Sequence, residues 1–383
     1  MGFEEDIAGL NELFFFQEFT FSRNTFRPKP HAEVEFADNV IWLDDLAILY
    51  QLKERMAPTT TTPEKEKKWF DNDVLGKATK QIRNTLKYLD ECKQIQLQNG
   101  RGHTFDLATA SLRKKEKVVI YFPHDLLPND CRRIKHHQST SAGLIHIFQA
   151  ADYLGVCQTL ITPCEIHDYL QYREKLINRW GDKVLDMPEP VLVGHYLNGD
   201  LERAPDLSHA KYFHRLEENR KDWDLSDMIG KFADRIFKSN TPTEYYCIIS
   251  EIAKLNRNDL FEFKERLSLS ITKARDNQFT SPYRIVIPRT GCGFVFVPIT
   301  KDLVAHQIQG LKNFTDAHKY DQELSKCVGV SVAYGDDNYF SIYWYYADFP
   351  WQYDSAMDQR LRENSPFRDV KMSEAPRYIF KST

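Results

Sequence analysis

The sequence predicts an α/β domain at the N-terminus followed by an α+β domain. Helical and strand periodicities alternate through the first half, in the order helix, hairpin, long helix, strands and helix. The segment "GDKVLDMPEPVLVGHYLNGD" at 181–200 has the glycine and proline content of a connection. Beyond it, helical patterns give way to strand patterns over the last hundred residues. The boundary is expected near 180, giving domains 1–180 and 181–383.

In chain order, residues 4–16 match a first helix, with Ile7, Leu10 and Phe14 at i, i+3 and i+7. The two prolines of "RPKPHAE" at 27–33 break it. "NVIWL" and "LAILYQLKER" read as hairpin strands joined by Asp44-Asp45, aspartate being a residue that tolerates tight-turn angles. A polar loop, "APTTTTPEKEKK", leads into a long helix over about 64–97, whose apolar stripe is Phe70, Val74, Ala78, Ile82, Leu86 and Leu89. "NGRGH" stops that helix, and strands are expected at "TFDLATASL", "KVVIYF" and "GLIHIFQA". Thr162 as N-cap, Pro163 at the first helical position and Glu165 three residues past the cap mark another helix start. In the second half, 224–237 and 243–275 look helical, and "YRIVIP", "GFVFVP", "VGVSVAY" and "YFSIYWYYA" look like strands. The alternating aromatics of the last are expected in sheet core.

The chain has 383 residues, 42% apolar and 13% aromatic, which suits a folded protein with a sizeable core. Its 51 basic and 55 acidic residues leave a net charge of -4, so any surface for nucleic acid must be local. "RKKEK" at 113–117 and "RRIKHH" at 132–137 are local basic clusters that could meet phosphates. The seven cysteines include no C-x-x-C pair and are expected to be reduced thiols. The acidic start and the lack of a long apolar run suggest a soluble cytoplasmic protein with no membrane contact. "AYGDDNYF" at 333–340 looks like the turn of template-dependent polymerases, but little chain follows it, and a hairpin turn is the expectation.

The hairpin's exit strand carries the most specific signal. Side chains alternate faces along a strand, so Gln51 and Lys53 share one face while Tyr50 and Leu52 share the other. A lysine in an apolar strand needs solvent or an acid. With the turn centred on 44 and 45, Asp38 falls opposite about position 51. Asp38, Gln51 and Lys53 are therefore expected to converge, either as a catalytic trio or as a plain ion pair at a sheet end.

This arrangement resembles the core of the PD-(D/E)xK nuclease superfamily. Ala37-Asp38 stands where Pro-Asp would be and Gln51-Leu52-Lys53 where (D/E)-x-K would be, the glutamine resembling the Mrr-type restriction endonucleases. The resemblance covers roughly residues 4–170 and leaves the C-terminal half unexplained. It implies a restriction-endonuclease-like domain, a mixed sheet flanked by helices, and a magnesium- or manganese-dependent endonuclease acting on DNA more readily than on RNA. Restriction or antiviral defence is the implied role, and a catalytically inactive interaction module is the alternative. Magnesium takes oxygen ligands and is usually held by one or two carboxylates. Asp38 and the Gln51 carbonyl would supply two of these oxygens. Because glutamine removes a charge, Glu35 and then Glu12 are expected to supply another acid, and Gln81 on the long helix to overhang the site. Lys53 would orient water or offset developing charge. The C-terminal domain is expected to serve targeting, regulation or assembly, through a second copy or another protein.

Overall fold

The hairpin lies at the centre of the larger sheet. The computed structural model describes residues 2–29, 32–55, 61–198, 200–218, 220–236, 241–336 and 338–368. These form two compact units: the chain to Glu218 with Ser226–Ile236, and 220–225 with 241–368.

The first unit begins with α1 (Phe3–Phe15), β1 (Thr20–Arg23), β2 (Thr25–Lys29), β3 (Ala32–Glu35), β4 (Asn39–Leu43) and β5 (Leu46–Glu54). Next come α2 (Pro63–Trp69), a π-helical stretch (Phe70–Lys77) and α3 (Ala78–Glu91), which run on as one rod. After β6 (Gln96–Asn99), β7 (Thr104–Asp106) and β8 (Lys114–Phe122) come α4 (Asn129–Arg132), β9 (His136–Ser139) and β10 (Gly143–Gln149). The helices α5 (Ala150–Thr159), α6 (Pro163–Trp180), α7 (Asp182–Leu185), α8 (Glu189–Asn198), α9 (Ala210–Glu218), α10 (Ser226–Gly230) and α11 (Phe232–Arg235) complete the unit.

Eight strands make one mixed sheet in the order β7-β6-β1-β4-β5-β8-β10-β9. The neighbours β5, β8 and β10 run parallel, and the remaining pairs are antiparallel. Asn39 pairs with Tyr50 and Leu43 with Leu46, so the two turn residues are Asp44 and Asp45, as the sequence suggests. Asp44 adopts φ +50°, a left-handed conformation aspartate accepts more readily than most residues.

Helices cover both faces. On one, Phe70, Val74, Ala78 and Ile82 pack on Val119 and Tyr121, while Leu86 and Leu89 meet Ala47 and Leu49. On the other, Tyr153 of α5 stands edge-on to Tyr50, with ring centroids 5.6 Å apart. The stripe drawn along the long helix is the buried one, but the helix stops at Glu91, six residues before the expected 97, because Cys92 turns to extended backbone. The proline-bearing stretch after α1 is the hairpin β2–β3; its residues 30 and 31 lie outside the described residues.

The boundary expected near 180 falls later. The stretch 181–200 is not a connection: α8 brings Glu189 to the fully buried Arg173 of α6, with Arg173 Nε–Glu189 Oε1 at 2.9 Å. Lys135 Nζ donates to the same carboxylate at 3.2 Å, and Tyr169 also donates to it. A buried guanidinium without its carboxylate is strongly unfavourable, so α8 belongs with α6.

The second unit holds α12 (Tyr246–Ala253), α13 (Arg257–Arg275), β11 (Tyr283–Ile287), β12 (Cys292–Ile299), α14 (Gln307–Asp321), β13 (Lys326–Tyr334), β14 (Phe340–Asp348) and α15 (Ser355–Asn364). The expected single helix over 243–275 is thus split, since Asn256 caps α13 in a reciprocal capping box with Asp259. A four-stranded sheet runs β11-β12-β13-β14, with β12 and β13 parallel. Phe263 of α13 contacts Phe294 and Phe296, and Leu311 of α14 packs with Val295 and Val297, placing a helix on each face. The polymerase-like stretch is the turn between β13 and β14; Asp337 lies outside the described residues. The aromatic strand is not sheet core. β14 is an edge strand in which Ile342 and Tyr343 are exposed.

Candidate functional site

Asp38 sits just before β4, at the end of a backbone segment pinned from two sides. Asn24 Nδ2 donates to the Phe21 and Ala37 carbonyls at 2.8 and 3.0 Å, and Thr85 of α3 donates to the Phe36 carbonyl. Behind it, Asn11 Nδ2 donates to Asn39 Oδ1 at 2.8 Å, and Tyr153 donates to Asn11 Oδ1 at 2.8 Å, fixing α1 against β4. Buried polar groups joined in this way hold a single geometry.

With its entry fixed, the Asp38 carboxylate reaches β5. Its Oδ2 accepts from the Leu52 N–H at 2.5 Å and lies 3.7 Å from Lys53 Nζ. Lys53 Nζ also donates to the Leu52 carbonyl at 2.8 Å. The Gln51 side chain, 2% exposed, shares the Lys53 face, and its Oε1 is buried without a hydrogen-bond partner. A buried carbonyl oxygen left unpaired costs roughly 1–3 kcal/mol. Such an atom lacks a donor or a cation.

The local field is crowded. Burial lifts the pKa of Asp38, against Lys53 and the Leu52 N–H, which lower it, and Glu35 adds to the rise. Partial desolvation, then Glu4, lifts Glu35, while Lys53 opposes. Glu4 is raised by desolvation and by Asp38 and Glu54. The Lys53 ammonium is disfavoured by burial and by Lys77, and favoured by Asp38, Glu4 and Glu35. Several carboxylates thus press on one lysine, at the carboxyl ends of β5 and β8.

Of the expected residues, Asp38 and Lys53 meet directly. Gln51 lies beside them on β5, and Glu35 acts on Lys53 through space. Gln81 is on the first turn of α3, and its Oε1 is likewise buried and unpartnered. Glu12 is not part of the site. It lies against the end of β6, where a Cβ on Gly100 would come within 2.8 Å of its Cδ. The acid that α1 does contribute is Glu4, eight residues earlier and so about 12 Å back along the helix axis. In the sequence Glu4 looks like an ordinary first-turn acid beside Glu5 and Asp6, stabilised by the helix dipole. Lys77, one turn before Gln81, acts on Lys53 as well. It comes close because Arg55 at the end of β5 pairs with the buried Glu66 at 3.2 Å, holding α2 and the π-helical stretch over the strand end.

The expected basic clusters do not serve this site. Arg113 and Lys114 pair with Asp45 at 3.1 and 3.5 Å, and Lys115 with Asp90 at 3.9 Å. Lys53 registers with Tyr121 and Leu46 with Lys114, so that cluster is about 23 Å away along the strand. In the second cluster Arg133 pairs with Asp186, Lys135 is buried on Glu189, and Arg132 donates to the carbonyls of His124 and Leu127.

Among the described residues, no three His, Cys, Asp or Glu side chains form a metal-binding group. The oxygens at hand are those of Asp38 and Gln51, with Glu35 and Glu4 supplying field. An all-oxygen set with few carboxylates fits a hard cation that keeps most of its water, as magnesium does. No helix among the described residues is long and apolar enough to cross a membrane. No protein-family profile, curated protein or solved structure matches the chain.

Proposed function

We propose that the chain is a magnesium- or manganese-dependent nuclease of restriction-endonuclease-like fold, hydrolysing phosphodiester bonds with DNA favoured over RNA. The supporting observation is the buried, unpartnered Gln51 Oε1 on the strand that carries Lys53, at the register position opposite Asp38, whose carboxylate pairs with Lys53. Asp38 Oδ2 is committed to the Leu52 N–H and to Lys53, which leaves Oδ1 and the Gln51 carbonyl to hold the cation. When bound, a divalent ion polarises the phosphate and lowers the pKa of attacking water. Lys53, its ammonium weakened by burial, orients that water and offsets charge growing on the phosphate oxygens. Glu35 and Glu4 restore the negative charge that glutamine gives up. A defence role against foreign DNA follows from the resemblance and belongs to the same proposal.

A second reading is a nuclease-fold interaction module without catalysis. The Asp38–Lys53 ion pair, with the carboxylate also held by the Leu52 N–H, favours it as a structural contact at the sheet end. Plasmid cleavage separates the two. The expected result is magnesium-dependent cutting that EDTA stops and Lys53→Ala abolishes, with the circular dichroism spectrum unchanged. Cutting by Lys53→Ala at the wild-type rate would remove the nuclease reading.

A further inference from the structure

The exposed face of α3 has a charge pattern that the helix itself does not explain. Lys77, Lys80, Arg83 and Lys87 follow one another at i+3, i+3 and i+4, all exposed. Neighbours at these spacings interact, and like charges there destabilise an isolated helix. A helix that used its charges for its own stability would alternate sign. Here neither Lys80 nor Arg83 has an acid at i±3 or i±4, and among the described residues neither makes an ion pair. Lys87 alone has a partner, Glu91 at 3.8 Å. The stripe spans about 15 Å. Its Lys77 end is the end that acts on Lys53, so the row of positive charge starts at the candidate site and leads away from it.

We infer that this face of α3 is a track for the phosphodiester backbone of nucleic acid, delivering the strand to Lys53. The choice of partner rests on the nuclease reading, and the charge pattern stands independently of it. Phosphates neutralise the repulsion along Lys80, Arg83 and Lys87 and release counterions as they do so. The clusters at 113–117 and 132–137 are less suited, because Arg113, Lys114, Lys115, Arg133 and Lys135 are already engaged with Asp45, Asp90, Asp186 and Glu189.

The test is fluorescence anisotropy of the full chain in EDTA, so that nothing is cut, over a salt series. Labelled duplex DNA, single-stranded DNA and duplex RNA of equal length are the probes, with anionic phospholipid vesicles as a separate arm. Replacing Lys80, Arg83 and Lys87 with Gln is expected to lower the log–log salt slope on duplex DNA by about 2.7, and Arg83→Gln alone by about 0.9. The single-stranded and RNA arms show which backbone the track takes. The matching triple Gln variant at Arg113, Lys114 and Lys115 is expected to leave the slope unchanged. The α3 variants should melt no lower than wild type, since repulsion is removed. Unchanged affinity and slope in the α3 triple variant, equal loss in the 113–115 variant, binding of vesicles in preference to nucleic acid, or no binding of nucleic acid by the wild type would each overturn the track. Loss of binding in a chain that never cuts leaves the track standing and removes the nuclease reading. Cutting at the wild-type rate by the α3 triple variant does the reverse.

Discussion

Lys53 is held where its charge is least comfortable. Burial and Lys77 disfavour the ammonium, and the carboxylates of Asp38, Glu4 and Glu35 hold it charged. Those acids in turn stand close enough to raise one another, an arrangement that a divalent cation would relax. The contribution of Glu4 is therefore electrostatic support rather than ligation. On that account Glu4→Gln keeps the cleavage activity but needs about 10-fold more magnesium for half-maximal rate. Glu12→Gln, altered beside Gly100, leaves the magnesium dependence unchanged. Cleavage rate against magnesium concentration measures both, and equal shifts in the two variants would place the supporting acid elsewhere.

Elements differ in how far the sequence discloses them. The hairpin β4–β5 was legible to the residue, because alternation and a two-aspartate turn are local signals, and register then put Asp38 opposite Gln51. The N-cap at Thr162 was legible for the same reason: its hydroxyl accepts from the Glu165 N–H at 3.2 Å. The strands β1 and β6 were not read, since they are four residues each, carry polar groups, and exist by pairing with β4 and with each other. Glu4 was unreadable because a first-turn acid has a local explanation, whereas its closeness to Asp38 depends on how α1 packs. The helix α8 was misread as a connection, its proline and glycine outweighing an apolar run whose purpose is to bring Glu189 to Arg173. That pairing fixes where the chain can be cut. A fragment of residues 1–180 leaves Arg173 and Lys135 without their carboxylate and is expected not to unfold cooperatively. A fragment of residues 1–236 keeps it and is expected to give a sharp thermal transition. Cooperative melting of the shorter fragment would show that α8 is dispensable.

At the scale of the first unit, Asp38, Gln51, Lys53, Glu35 and Glu4 gather at one end of the larger sheet. The parallel neighbours β5 and β8 finish there, α1 begins there, and the π-helical stretch crosses above, a local widening that often accompanies function. The second unit has its own sheet, with a helix packed on each face. Its contribution is proposed in targeting, regulation or assembly. The decisive question is whether the Asp38 and Gln51 oxygens hold a divalent cation. Titration of the full chain with manganese, followed by electron paramagnetic resonance, answers it without requiring turnover. One bound ion per chain is expected in the wild type, and loss of that site in both Asp38→Ala and Gln51→Ala. A wild-type chain that binds no manganese, or variants that bind it equally well, would contradict the account.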